Sequence, residues 1–167
     1  MKKSLEPTQK FLHKVALIKQ VEILVVALTT PVLIGIYENG DLIQKFTSDE
    51  NEKAGDFLIS KFDEILQVYE IKSVIYANTP GSFMGIKLSY VILKTLSTAL
   101  NFPLFAISGF ELNNFSPIRA NKNLNFVYHD GEIVLEKCEP KAFELPQTLS
   151  NLNKNSDILP NYIIGAV

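Results

Sequence analysis

Ser82 stands in the run Asn78-Thr79-Pro80-Gly81-Ser82-Phe83-Met84-Gly85-Ile86-Lys87, the stretch whose residue types and spacing come nearest to chemistry. A hydroxyl at the start of a helix can accept from a first-turn N–H, and a preceding glycine permits a sharp turn and close backbone approach. Such a helix N-terminus can bind an anion. The bland explanation is a tight strand-to-helix corner with no ligand. Gly85 is not followed by Lys-Ser or Lys-Thr at phosphate-loop spacing, and Gly81 and Gly85 do not make Gly-x-Gly-x-x-Gly. As a nucleophile Ser82 lacks both the Gly-x-Ser-x-Gly setting and a histidine placed to serve it. His13 lies in a basic N-terminal stretch and His129 in a hairpin turn, neither with a second ligand at metal spacing. Cys138 beside Lys137 reads as an ordinary unpaired thiol; being the only cysteine, it excludes an internal disulfide and fits a reducing compartment.

Periodicity locates the elements that hold this corner. Ser73 to Ala77 reads as a buried strand before it, and Leu88 to Asn101 sustains a helical pattern after it. Upstream, Val21 to Leu28, Pro31 to Glu38 and Asp41 to Thr47 read as three consecutive strands, with Asn39-Gly40 as a hairpin turn. Glu52 to Glu70 reads as an amphipathic helix with Leu58, Phe62, Ile65 and Tyr69 on one face. Pro103 to Ser108 reads as a fifth strand. Farther on, Asn114 to Asn125 reads as a polar loop, Asn125 to His129 and Glu132 to Glu136 as a hairpin around Asp130-Gly131, Leu145 to Asn155 as an Asn- and Ser-rich stretch, and Pro160 to Val167 as a closing strand.

The helix after the corner is apolar on two sides. Leu88, Ile92, Leu96 and Ala99 form one stripe and Ile86, Tyr90, Leu93 and Leu100 another, so it needs two surfaces to pack on. One is its own sheet; the other is the Glu52 to Glu70 helix or a partner's helices.

Together with Ala99-Leu100-Asn101-Phe102-Pro103-Leu104 and Ile107-Ser108, the corner resembles the TsaB (YeaZ) family of tRNA threonylcarbamoyladenosine biosynthesis proteins. The family pattern is Gly-Pro-Gly-Ser-Phe-Thr-Gly-(Leu/Val)-Arg-Ile-Gly, then a helix and a strand ending near Ser. Pro80, Gly81, Ser82, Phe83 and Gly85 match it, whereas Thr79, Met84, Lys87 and Ser89 depart from it. A weaker resemblance runs from Val21 to Leu112 and on to Ile118-Arg119-Ala120. It implies an α/β fold of ribonuclease-H-like type, in the actin and Hsp70 superfamily, with a mixed sheet, helices and a reduced second subdomain. Residues 1–20 would be a basic arm or extension, 21–112 the ribonuclease-H-like domain, and 113–167 the reduced subdomain and C-terminal segment.

The function this resemblance implies is indirect. TsaB proteins act as non-catalytic scaffolds, pairing through two helices with a TsaD-type catalytic subunit or with a second copy. The TsaD-type subunit transfers threonylcarbamoyl to the adenosine beside the anticodon, with a TsaE-type ATPase in the larger complex. The implied partner contacts here are Leu58, Phe62, Ile86, Tyr90 and Leu93, with no catalytic residue, cofactor or metal and with tRNA contact indirect or weak. In actin-like enzymes an acidic metal-binding residue falls where this chain has Val26 or Ala27, and Thr29 and Thr30 keep only part of the Thr-x-Thr that follows. The His-x-x-x-His of TsaD-type subunits is missing, so peptidase or metal-dependent catalysis is not expected. Two alternatives are an enzyme that binds ATP or ADP at the Gly81-Ser82 turn, and direct tRNA binding by the lysine-rich arm, which would be salt-dependent.

Length and composition are compatible with this reading. The chain has 167 residues, 47% hydrophobic and 20% charged, enough for one core with a small appendage. Its net charge of -2 gives no broad nucleic-acid footprint, although residues 1–20 hold five Lys against one Glu. Ile23 to Tyr37 is apolar but shorter than the roughly 20 residues a span needs, and contains Pro31 and Gly35. Val15 to Ile18 is broken by Lys19, unlike a signal peptide's apolar run. A cytoplasmic protein without membrane contact is expected.

Overall fold

The computed structural model describes Ser4 and residues 6–163. After a helix, α1 (Pro7–Ala16), the chain forms an antiparallel meander of β1 (Lys19–Val26), β2 (Leu33–Glu38) and β3 (Asp41–Thr47). Asn39 and Gly40 both take positive φ, 52° and 87°, as a two-residue turn matched to strand twist requires. β1 also pairs in parallel with β4 (Tyr69–Thr79), and β4 with β5 (Leu104–Ser108), in the order β3-β2-β1-β4-β5. Central strands covered on both faces read as near-continuous apolar runs. Hence Ile23 to Tyr37, apolar enough to hint at a membrane but too short to span one, is mostly β1 and β2.

The two faces are packed differently. Ile23, Val25, Val74 and Tyr76 meet α2 (Ala54–Val68) and α3 (Phe83–Leu100), whose Phe57, Leu58, Phe62, Ile65 and Leu93 complete that core. α2 ends earlier than its apolar pattern predicts, because Tyr69 and Glu70 already belong to β4. α3 begins at Phe83, five residues before the expected Leu88, and closes at Asn101, whose φ of 57° allows its N–H to reach the Ser97 carbonyl.

Leu24, Val26, Ile75 and Ala77 face the other way, and there an extended C-terminal segment takes the place of helices, laying Phe143, Leu145, Leu149 and Leu152 on the sheet. The buried Tyr37 hydroxyl donates to the Pro146 carbonyl at 2.8 Å. At the β3 edge, the Leu42 N–H donates to the Gln147 carbonyl and the Leu149 N–H to the Gly40 carbonyl, both at 2.9 Å. At the β5 edge, Ala106 and Asn155 exchange backbone hydrogen bonds of 2.9 and 2.7 Å. Beyond it the Tyr76 hydroxyl donates to the Ile158 carbonyl. One segment thus covers part of both sheet edges, which would otherwise present unpaired backbone groups.

A short helix, α4 (Gly109–Leu112), leads to a three-stranded antiparallel sheet of β6 (Ile118–Arg119), β7 (Asn125–His129) and β8 (Glu132–Glu136). Phe110, Ile118 and Phe126 form its core. The expected subdomain over 113–167 is therefore divided: the small sheet spans 118–136, whereas residues 143–158 supply core to the large sheet. The expected closing strand from Pro160 is not formed over 160–163, and residues 164–167 lie outside the described residues.

Candidate functional site

Two places deserve comparison as sites, the corner between β4 and α3 and the paired outer faces of α2 and α3. At the corner, Ser82 caps α3 as its position predicts, its Oγ accepting from the Gly85 N–H at 3.2 Å. The Ser82 N–H in turn donates to the Leu28 carbonyl at 2.7 Å, joining the helix start to the end of β1. A Cβ on Gly81 would stand 2.5 Å from the Leu28 oxygen, and one on Gly85 would collide with the Ala27 oxygen. Both glycines therefore serve backbone-to-backbone approach within the chain, with residues 27–28 standing where a side chain on either would have to lie. Pro80 is buried, and the Phe83 ring lies 4.7 Å from that of Tyr162.

The helices require a correction. Leu58, Phe62, Ile86 and Leu93, expected at a partner interface, are each 0 to 1% exposed and belong to the molecule's own core. Tyr90 is half-buried, its ring 6.3 Å from that of Tyr76. The physical reason lies in the small residues. Gly85 and Ser89, one turn apart, bring α3 down on the face that also carries Ile86 and Leu93, so that stripe goes inward. Ser89 hides its own hydroxyl by donating to the Gly85 carbonyl at 2.7 Å.

What remains outside is a different apolar set. Ile59, Leu66 and Val91 line a groove of about 360 Å3 between α2 and α3, with Phe62, Ile92 and Leu96 among its other walls. Ile59 is 61% and Val91 50% exposed. Asp63 and Thr95 are the polar residues of the lining. Such a surface has little to offer a charged substrate and much to offer an apolar partner. α3 is also long and apolar enough to cross a bilayer by length and composition, but its inner face is docked on the sheet.

Among the described residues the titratable side chains assemble no competing centre. His129 lies on the hairpin with Nε2 2.7 Å from Glu136 Oε1, and Cys138 is exposed. The side chain of His13 lies outside the described residues. Among the described residues no group of three or more His, Cys, Asp and Glu side chains is arranged to hold a metal ion. Val26, the last residue of β1, and Ala27 just after it are both buried. Burial pushes the Tyr37 and Tyr76 phenols above their ordinary range; at Tyr76 the neighbouring Tyr90, Tyr162 and Asp157 add to the effect.

No family model and no curated protein matches this chain. Among solved structures it is similar to YeaZ from Pseudomonas aeruginosa, with 14% identity and a TM-score of 0.49 over 71% of this chain and 65% of that one. It is also similar to an uncharacterized protein described as having similarity to peptidase YeaZ from Pseudomonas aeruginosa, with 14% identity and a TM-score of 0.49 over 71% and 64% of the two chains. The match spans slightly less than two thirds of either solved chain.

Proposed function

We propose that this chain is a TsaB-like, non-catalytic scaffold subunit that supports a TsaD-type enzyme in tRNA threonylcarbamoyladenosine formation, working in the cytoplasm. The observation that carries the proposal is the exposed apolar groove between α2 and α3, lined by Ile59, Leu66 and Val91. The Pro80-Gly81-Ser82-Phe83 and Gly85 pattern supports the family reading, and so does the strand order β3-β2-β1-β4-β5 with its antiparallel meander, which suits a ribonuclease-H-like domain.

In this reading the groove takes an apolar ridge from one or two partner helices, with side chains interlocking as in helix packing within a core. Burial contributes roughly 25 cal/mol per Å2, from which the costs of association are lost, so a lasting pair needs on the order of 1,200 Å2 or more of total buried surface. The groove supplies the apolar centre of such an interface and the flanking faces of α2 and α3 its rim. The chemistry belongs to the partner, and the TsaE-type ATPase joins the larger assembly. A second copy of the chain would use the same face in a homodimer.

The nucleotide alternative at Gly81-Ser82 is not favoured, since the Ser82 N–H is engaged by the Leu28 carbonyl, the Gly85 N–H by Ser82 Oγ, and both glycines by close packing on residues 27–28. Reconstitution tests the proposal: threonylcarbamoylation of tRNA by a TsaD-type subunit should rise when this chain is added. If added protein leaves the modification rate unchanged, the scaffold role is wrong.

A further inference from the structure

We infer that the cleft between the β1–β2 loop and the segment Pro140–Phe143 binds a small oxyanion, phosphate or carboxylate, through Arg119 and Lys141. The cleft has a volume of about 270 Å3, and both cationic residues are among those that line it, with Thr29 and Thr30 and apolar Leu33 and Phe143. Arg119 is the chain's sole arginine.

Three separate parts of the sequence converge here. Thr29 and Thr30 leave the end of β1, Arg119 ends β6, and the Lys141 N–H donates to the Pro117 carbonyl at 2.9 Å, tying its segment beside the strand that carries Arg119. Phe143 is packed against two core clusters, which anchors its segment to the body of the molecule. No carboxylate lines the cleft. Among the described residues the ion pairs engage Lys19, Lys61, His129 and Lys154, leaving Arg119 and Lys141 without an acidic partner. The hydrogen bond from Arg119 Nη1 to the Asn121 carbonyl, at 3.5 Å, is at the outer limit of such contacts.

Two cationic residues on one concavity with no acidic partner raise the local positive potential. An oxyanion there can accept from the guanidinium fork, the ammonium and the threonine hydroxyls. The volume is below the ~300–1,000 Å3 of drug-sized pockets, which favours a small ligand over a whole nucleotide. Leu33 and Phe143 add an apolar wall suited to the body that bears a carboxylate. The inference does not depend on the scaffold proposal, because the cleft involves neither α2 nor α3.

Isothermal titration with inorganic phosphate and with benzoate tests it, together with 15N-resolved NMR to locate the bound probe. Saturable one-to-one binding of at least one probe is expected, with amide shifts at Thr29, Thr30, Arg119 and Lys141. Affinity should fall at least tenfold in Arg119→Ala and further in the Arg119→Ala/Lys141→Ala double variant. Both side chains are exposed, and an unchanged circular dichroism melt verifies that each variant remains folded. Preference for phosphate identifies a phosphate ligand, and preference for benzoate an apolar carboxylate. Failure of both probes to saturate, shifts centred elsewhere, or undiminished binding by the folded double variant would overturn the inference.

Discussion

Ile59 on α2 and Val91 on α3 line one groove, and both leave at least half of their side chains in water. Leu58 and Leu93, one and two positions away in sequence, are wholly buried. About 100° of rotation per residue separates the two environments on each helix. Ile59→Asp and Val91→Asp should each change folding stability by no more than about 0.5 kcal/mol, the usual range for surface substitutions. Phe62→Asp and Leu93→Asp should unfold the protein by placing an unpaired charge in the core. Urea unfolding of the four variants distinguishes the two classes; a Val91→Asp protein that fails to fold would assign the groove wall to the core.

Gly85→Ala should be poorly tolerated, because its Cβ has no room against the Ala27 carbonyl. Backbone must move to accommodate it, at a cost of about 1–3 kcal/mol, as for other overpacked sites. Gly40→Ala meets no neighbouring atom but carries the strain of a positive φ, about 1–2 kcal/mol. Denaturant midpoints check both values, and a neutral Gly85→Ala would contradict the close junction of α3 with β1.

Ser82→Ala removes the cap on α3 and should cost about 1 kcal/mol without affecting nucleotide affinity. Calorimetric titration with ATP and ADP provides the second half of the test. Nucleotide binding that is lost in Ser82→Ala would restore the enzyme reading.

Tyr37 and Tyr76 make stability fall at alkaline pH. Burial favours their protonated forms, so their contribution is complete below the unfolded phenol pKa of 10.0 and is lost as pH rises through the higher folded values. Tyr37→Phe or Tyr76→Phe should remove part of this pH dependence. Each should also lower stability at neutral pH by about 1–2 kcal/mol, by leaving the Pro146 or Ile158 carbonyl without its donor. Thermal melts from pH 7 to 11 measure both effects; equal alkaline losses in wild type and a Tyr37→Phe/Tyr76→Phe double variant would argue against these tyrosines as the cause.

Local rules made much of the fold legible. Asn39-Gly40 and Asp130-Gly131 mark their hairpins because consecutive positive φ values suit few other residue pairs, and β3, β7 and β8 have the bounds their alternation predicts. The cap at Ser82 is visible for the same local reason. The inward face of α3 is harder to read, since two apolar stripes compete and hydrophobicity alone does not rank them. Gly85 and Ser89 held the missing signal, as small residues one turn apart mark the side of close approach. The C-terminal segment had still less to reveal it. Leu145, Leu149 and Leu152 stand four and three positions apart, a spacing that suits a helix and not the extended segment they form, and Pro146 is held by Tyr37 from 109 positions away.

Size-exclusion chromatography with light scattering, applied to this chain mixed with a TsaD-type subunit from the same source, tests the central claim most directly. Wild-type protein should form a one-to-one complex, and folded Val91→Asp should elute apart from the partner. A wild-type chain that ignores the subunit, or a Val91→Asp variant that binds it as well as wild type, would contradict the assignment of the α2–α3 groove as the docking face.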